Sequence, residues 1–249
     1  MRTTRLTTLT VAALLASTFA SADTISLDVT VRDFNGAHSD FEGCIDGVVT
    51  GLVEVSLGAD DNPVKSATTT CSIASAASFN QWYNDVAGVN VQVPIASLIL
   101  DNTITADPDV FTFASNSFFP VDGLGFNEVG VNGHNFHFTL ESHSSFTYQG
   151  GETFMFTGDD DLWVFINDLL VVDIGGVHPA ASSGVSLDTL GLTLGQTYGF
   201  DLFFAERHQS QSNFRIDTSI ELVSVREPST LALLGLGLLG MGLVGRRKA

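Results

Sequence analysis

The chain has 249 residues, of which 28 are acidic and 10 basic, for a formal net charge of −18. All the acidic residues except Glu227 lie between residues 23 and 224, where Arg32, Lys65, Arg207 and Arg215 are the only basic ones. Such a surplus repels phosphate backbones and anionic lipid surfaces, which excludes nucleic-acid binding and leaves divalent cations as natural partners.

Residues 1–22 read as a signal peptide removed by signal peptidase. Arg2 and Arg5 form a basic head, Leu6 to Phe19 an apolar run too short to span a bilayer, and Ala20-Ser21-Ala22 a small-residue cut site. Asp23 then begins the mature chain. In an exported protein the only two cysteines, Cys44 and Cys71, are expected to pair, the alternative being two buried thiols.

From residue 23 the dominant period is two. Ile25, Leu27, Val29 and Val31 alternate with polar residues and predict one strand. Ser72 to Val86 carries Ile73, Ala76, Phe79, Tyr83 and Val86 near one helical face and predicts the one helix of the domain. Alternation returns at Phe136-Phe138-Leu140, at Tyr198 to Phe204 and at Phe214 to Leu222. Trp163 to Ile166 and Leu169 to Ile174 are near-continuous apolar runs around Asn167-Asp168, a tight hairpin. No repeat or linker divides residues 23–224, which predicts one all-β domain, a β-sandwich with one short helix.

Three adjacent carboxylates, Asp159, Asp160 and Asp161, precede the Leu162-Trp163 strand. Their mutual repulsion raises at least one pKa unless a cation compensates, and calcium takes six to eight such oxygens. The alternative is an acidic turn that caps the strand through Asx hydrogen bonds. Glu206, His208 and Asn213, in the next interstrand loop, are placed to complete a cation site or meet a ligand; equally, Glu206 could pair with Arg207. Asp173 and His178 flank the Gly175-Gly176 turn as further ligand candidates. No G-x-S-x-G, H-E-x-x-H or C-x-x-C pattern is present.

In residues 225–249, Leu231 to Gly245 are apolar or glycine and Arg246-Arg247-Lys248 follow. As a helix this run is about 22 Å long against a core of ~30 Å, which suits a transient inner-membrane anchor with its basic tip in the cytoplasm. The spacing Gly235-Leu236-Gly237-Leu238-Leu239-Gly240 matches a dinucleotide fingerprint by chance, since no strand precedes it. With Glu227-Pro228-Ser229 ahead of the helix and Arg246-Arg247 behind it, the segment resembles a PEP-CTERM sorting signal. Arg226 stands where that family has its first proline. The resemblance implies processing by an exosortase near Arg226 and release to the cell surface or medium.

Within the domain, Val31-Arg32-Asp33-Phe34-Asn35, Phe79-Asn80-Gln81-Trp82-Tyr83, Phe118-Phe119-Pro120-Val121-Asp122-Gly123 and, above all, FTYQGGETFMFTGDDDLWVFINDLLVVDIGGVH and AERHQSQSNFRIDTSI resemble a fibro-slime domain. Asp168 stands where that family has glycine. Such domains resemble the protective-antigen-like β-sandwich of adhesins, in which consecutive aspartates joined by a cis peptide hold a calcium ion that touches sugar hydroxyls. The resemblance places that ion at Asp159, Asp160 and Asp161. It implies a non-enzymatic adhesin or biofilm-matrix protein that binds glycans or exopolysaccharide with calcium. A structural matrix part without a discrete ligand is the second reading, and a carbohydrate-active enzyme with opposed carboxylates the third.

Overall fold

The computed structural model describes residues 23–95 and 97–224. The signal peptide expected at 1–22 and the apolar helix expected in 225–249 lie outside the described residues. In chain order the strands are β1 (Thr24–Asp28), β2 (Thr30–Phe34), β3 (Asn90–Val93), β4 (Ser97–Asp101), β5 (Phe111–Ser115), β6 (Phe138–Thr147), β7 (Thr153–Gly158), β8 (Asp161–Ile166), β9 (Leu169–Ile174), β10 (Ala181–Ser186), β11 (Thr197–Glu206), β12 (Phe214–Thr218) and β13 (Val223–Ser224).

They form two antiparallel sheets, an all-β sandwich. One runs β1-β4-β5-β12-β7-β10 and the other β3-β2-β6-β11-β8-β9, with β13 also on β6. The predicted strand from Ile25 to Val31 is in fact two. The chain breaks at Val29, and β1 joins the six-stranded sheet while β2 joins the seven-stranded one. Ile25, Leu27 and Val31 all still enter the same inter-sheet core, so the alternation survived the change of sheet.

Strands β8 and β11 are apolar on both faces because each face meets a core. Leu162, Val164, Ile166, Phe200, Leu202 and Phe204 point between the sheets. Trp163, Phe165, Phe203 and Ala205 point the other way, into a second core with Phe34, Phe41, Phe79, Trp82 and Tyr83. That second core is closed by a cap of mostly irregular backbone between β2 and β3. Burial on both sides is what a near-continuous apolar strand reports.

The predicted helix over Ser72 to Val86 shrinks to α1 (Ala76–Phe79). Ser75 caps it, accepting from the Ser78 amide, and then asparagine side chains take the carbonyls that a longer helix would use. Asn84 donates to the Asn80 carbonyl at 2.9 Å, and Asn90 to those of Gln81 and Asn84 at 2.8 Å each. Side-chain competition of this kind ends helices early. Of the expected apolar face, Ile73, Phe79 and Tyr83 are buried, Val86 is half-buried and Ala76 is exposed, while Trp82, outside that face, is fully buried.

Cys44 and Cys71 form a disulfide within the cap, with Cα atoms 5.8 Å apart. The cap also lies along the β9 edge, where Val49 donates to the Gly175 carbonyl at 2.7 Å and Leu170 to that of Val55 at 3.0 Å. Asn167 and Asp168 turn the β8–β9 hairpin with φ of 52° and 63°. Aspartate thus fills a left-handed position that favours glycine.

The strands fix two poles. At one, Asp23, Thr147, Glu221 and Val223 line a common hollow, so the chain enters and leaves the domain side by side. At the other lie the Gly158 end of β7, the start of β8 and the Glu206 end of β11.

Candidate functional site

The second pole gathers the acidic turn. Gly158 ends β7 against the loop before β12, and a Cβ there would fall 2.2 Å from the Asn213 carbonyl oxygen. This close approach lets the Asp159 amide donate to that carbonyl at 3.2 Å and the Asn213 amide return a bond to Asp159 Oδ1 at 2.7 Å. The Asp159–Asp160 peptide bond is cis. Asp160 accepts from the His178 amide at 2.9 Å and from the Arg207 amide at 3.1 Å, one bond per oxygen. The Asp160 carboxylate is therefore clamped between the β9–β10 loop and the end of β11.

Asp161 has a different role. Its Oδ1 accepts from the Gly176 amide at 2.6 Å and its Oδ2 pairs with Arg207 Nε at 2.7 Å, both side chains being fully buried. A carboxylate engaged on both oxygens and already neutralised is a structural anchor, which removes Asp161 from the donors open to a cation. Arg207 pairs with Asp161 and not, as its position beside Glu206 suggested, with its neighbour. Its guanidinium also donates to the carbonyls of Asp40 and Ser72 at 2.9 and 2.8 Å and lies 4.7 Å from the Trp82 ring centre.

That choice of partner leaves Glu206 alone. The residue is 0% exposed, and neither carboxylate oxygen has a hydrogen-bond partner. The Ser212 hydroxyl lies near enough to favour the charged form of Glu206, but its proton goes to the Phe118 carbonyl at 2.6 Å, and the geometry gives Glu206 no donor. Burial, then the charges of Asp160 and Asp159, pushes the Glu206 carboxyl well above the usual range. Burial likewise raises Asp160 well above it, against the pull of Arg207, and Asp159 less. An unpaired buried carboxylate costs several kcal/mol unless it is protonated or meets a cation.

His178 stands at the back of the same turn. Its Nδ1 lies 2.9 Å from the Pro179 carbonyl, which only accepts, so Nδ1 carries a proton, and the buried Nε2 has no partner. His208 holds the β11 exit in a left-handed conformation, φ 67°, and its amide bonds the Phe41 carbonyl at 3.0 Å. Asp173 belongs elsewhere. Its oxygens accept from the Gly51 amide at 2.6 Å and from Trp163 Nε1 at 3.0 Å, so it ties the cap to β9 and offers nothing to a ligand at the turn.

The structure thus brings Asp159, Asp160, Glu206, Asn213 and His178 to one place and assigns Asp161 and Asp173 to the scaffold. Among the described residues, only Cys44, Asp46 and Cys71 bring three donor atoms within 4.8 Å of one another. The disulfide consumes both of those sulfurs, which leaves no thiolate there to bind metal. The carboxylates at the turn do not reach that spacing among themselves. Backbone and amide oxygens of this pole are the other donors that a hard, oxygen-seeking cation would use.

The PA14 domain family model matches residues 101–233, and the PEP-CTERM protein-sorting motif matches residues 227–248. The second match begins at Glu227, just after the departure at Arg226. Among curated proteins, Protein psiD of Dictyostelium discoideum is 45% identical over 215 residues, covering 80% of this chain and 42% of that protein. Protein psiC of the same organism is 38% identical over 232 residues, covering 85% and 44%. The chain spans less than half the length of these relatives. Among solved structures, the PA14 sugar-binding domain of an RTX adhesin aligns over 78% of this chain and 91% of its own, at 10% identity and a TM-score of 0.31. At that level no residue correspondence follows. By the span of its family match, the chain belongs to the PA14 domain family and carries a PEP-CTERM protein-sorting motif.

Proposed function

We propose that the domain is a glycan-binding module whose site is organised by calcium at the Asp159–Asp160 turn. The observation that carries the reading is Glu206, a fully buried carboxylate with no protein partner beside two further raised carboxyls. Asp159 meets the protein through the Asn213 amide at Oδ1, and both Glu206 oxygens are without a hydrogen-bond partner. A divalent cation would relieve their repulsion, and a calcium ion with six to eight oxygen positions retains room for ligand hydroxyls. In this reading Asp160 is held by its two amide donors and presents its charge, while Arg207 and Asp161 hold the floor.

The test is retention of the purified full chain on a glycan panel, with calcium and then with chelator. Binding that appears only with calcium is the expected result. Binding indifferent to chelator would place the sugar elsewhere, and failure to hold any glycan would leave the sandwich a cohesive matrix part. Release of reducing ends from a bound glycan would instead favour a hydrolase.

The sorting motif points to exosortase processing and delivery to the cell surface or medium. Intact-mass measurement of the exported protein is expected to show a C-terminus near Arg226. A species that retains Arg246-Arg247-Lys248 would mean a lasting anchor.

A further inference from the structure

The cap covers only part of the outer face of the seven-stranded sheet. Trp163, Phe165, Phe203 and Ala205 lie beneath it, but farther along β6 and β11 the same face carries Glu141, His143 and Asp201. These form the floor of an open cleft of about 850 Å³, walled by the Asp60–Asn62 turn of the cap, by Tyr83 and by the Asp168 hairpin. From Asp201 to Glu206 is five strand residues, or about 17 Å, so the cleft is separate from the acidic turn.

We propose that this cleft is a second binding site, for a ligand bearing a primary ammonium group. It does not depend on the calcium reading. Its volume falls within the range of small-molecule sites. Three buried polar side chains that line it lack partners: Tyr83, 3% exposed, and Ser144, 2% exposed, through their hydroxyls, and Glu141, 7% exposed, through Oε2. The other Glu141 oxygen is held by Arg32 Nη1 at 2.9 Å, and Arg32 Nε is bound to Asp85 at 2.8 Å, so the one arginine here is already paired with two carboxylates. His143 is bound to Asp201 at 2.8 Å.

The remaining lining is acceptor-rich, with Asp60, Asp61 and Asp168 on the rim. Such a set calls for a ligand that brings donors and positive charge. An ammonium has three N–H donors on a longer body and can meet separated acceptors. Burial raises the Glu141 carboxyl against the pull of Arg32, which an arriving cation would oppose.

Amino sugars and aliphatic amines share this chemistry, and calorimetry on the full chain in chelator separates them. The probes are a glucosamine trisaccharide, its fully N-acetylated counterpart and spermidine. The charged trisaccharide, spermidine or both are expected to bind, with the N-acetylated sugar at least ten-fold weaker than its charged form. Glu141→Gln and Asp201→Asn, which keep an acceptor for Arg32 and for His143, should each weaken binding ten-fold or more. Melting curves establish that the variants fold; should Glu141→Gln not fold, Asp201→Asn and Asp61→Asn at the rim decide. Equal binding of the two trisaccharides, binding unchanged by the variants, or no binding of either amine would overturn the proposal.

Discussion

Calcium is expected to raise the melting temperature of the purified chain by roughly 5–10 °C at one hundred times its Kd. A ligand that binds only the native state stabilises by RT ln(1 + [L]/Kd), about 2.7 kcal/mol at that concentration. For a domain of about 200 residues each kcal/mol is worth roughly 2–4 °C. The informative control is Glu206→Gln. Its carboxylate makes no protein hydrogen bond, so the amide removes charge without breaking one. The variant should be no less stable than wild type in chelator and should lose most of the calcium response. Asp159→Asn should behave alike, since an amide oxygen still accepts from Asn213. Asp160→Asn is a harsher change, because both oxygens accept from backbone amides and an NH₂ would face one of them. Equal shifts in wild type and Glu206→Gln would assign the effect to the diffuse acidic surface. No shift in either would remove the calcium reading.

Replacing Arg207 by methionine should cost about 3–5 kcal/mol of unfolding free energy, the range for stranding one partner of a buried ion pair. Asp161 would be left with its charge buried and only the Gly176 amide for company. The cap would lose two hydrogen bonds to its carbonyls, and Trp82 the guanidinium against its ring. Lysine is not a conservative replacement, since it cannot hold Asp161 and two carbonyls in one planar fork. Adding Asp161→Leu to Arg207→Met should recover part of the loss, because no bare charge then remains. Urea titration measures both variants. A single-variant loss under about 1 kcal/mol would mean that water reaches the pair and that the cap is not fastened there.

The scaffold was legible where a side-chain period reports burial. The Asn167-Asp168 hairpin, β11 and β12 were readable for that reason, as was the disulfide from the compartment and the cysteine count. The break at Val29 left no trace, because a strand that changes sheets without changing its inner face keeps its alternation. The helix over Ser72 to Val86 was overestimated for a related reason. Apolar spacing survived there, and the asparagines that end the helix act through side-chain bonds which no period reveals.

The acidic turn was visible as three aspartates, but its division of labour was not. Asp161 and Asp160 differ by one position and have opposite roles, set by an arginine 46 residues away from the first. The only sequence signal was the scarcity of bases. Four basic side chains in the described domain cannot all be spent on surface pairs, and one adjacent to an acid inside an apolar strand pattern was a candidate for burial. Outside the Ser72 to Val86 run the cap is irregular and offered no pattern.

The two poles of the sandwich have a consequence for how the protein meets its surroundings. Strand β11 runs ten residues from the pole of chain entry and exit to Glu206, a height of about 30 Å. Only Val225 and Arg226 separate the last described residue from the sorting motif. Whatever holds the motif therefore holds the domain by its foot, almost without slack. While the motif holds the chain, the acidic turn lies at the pole away from the attachment, where long polymers can reach it from outside without threading past the surface that bears it.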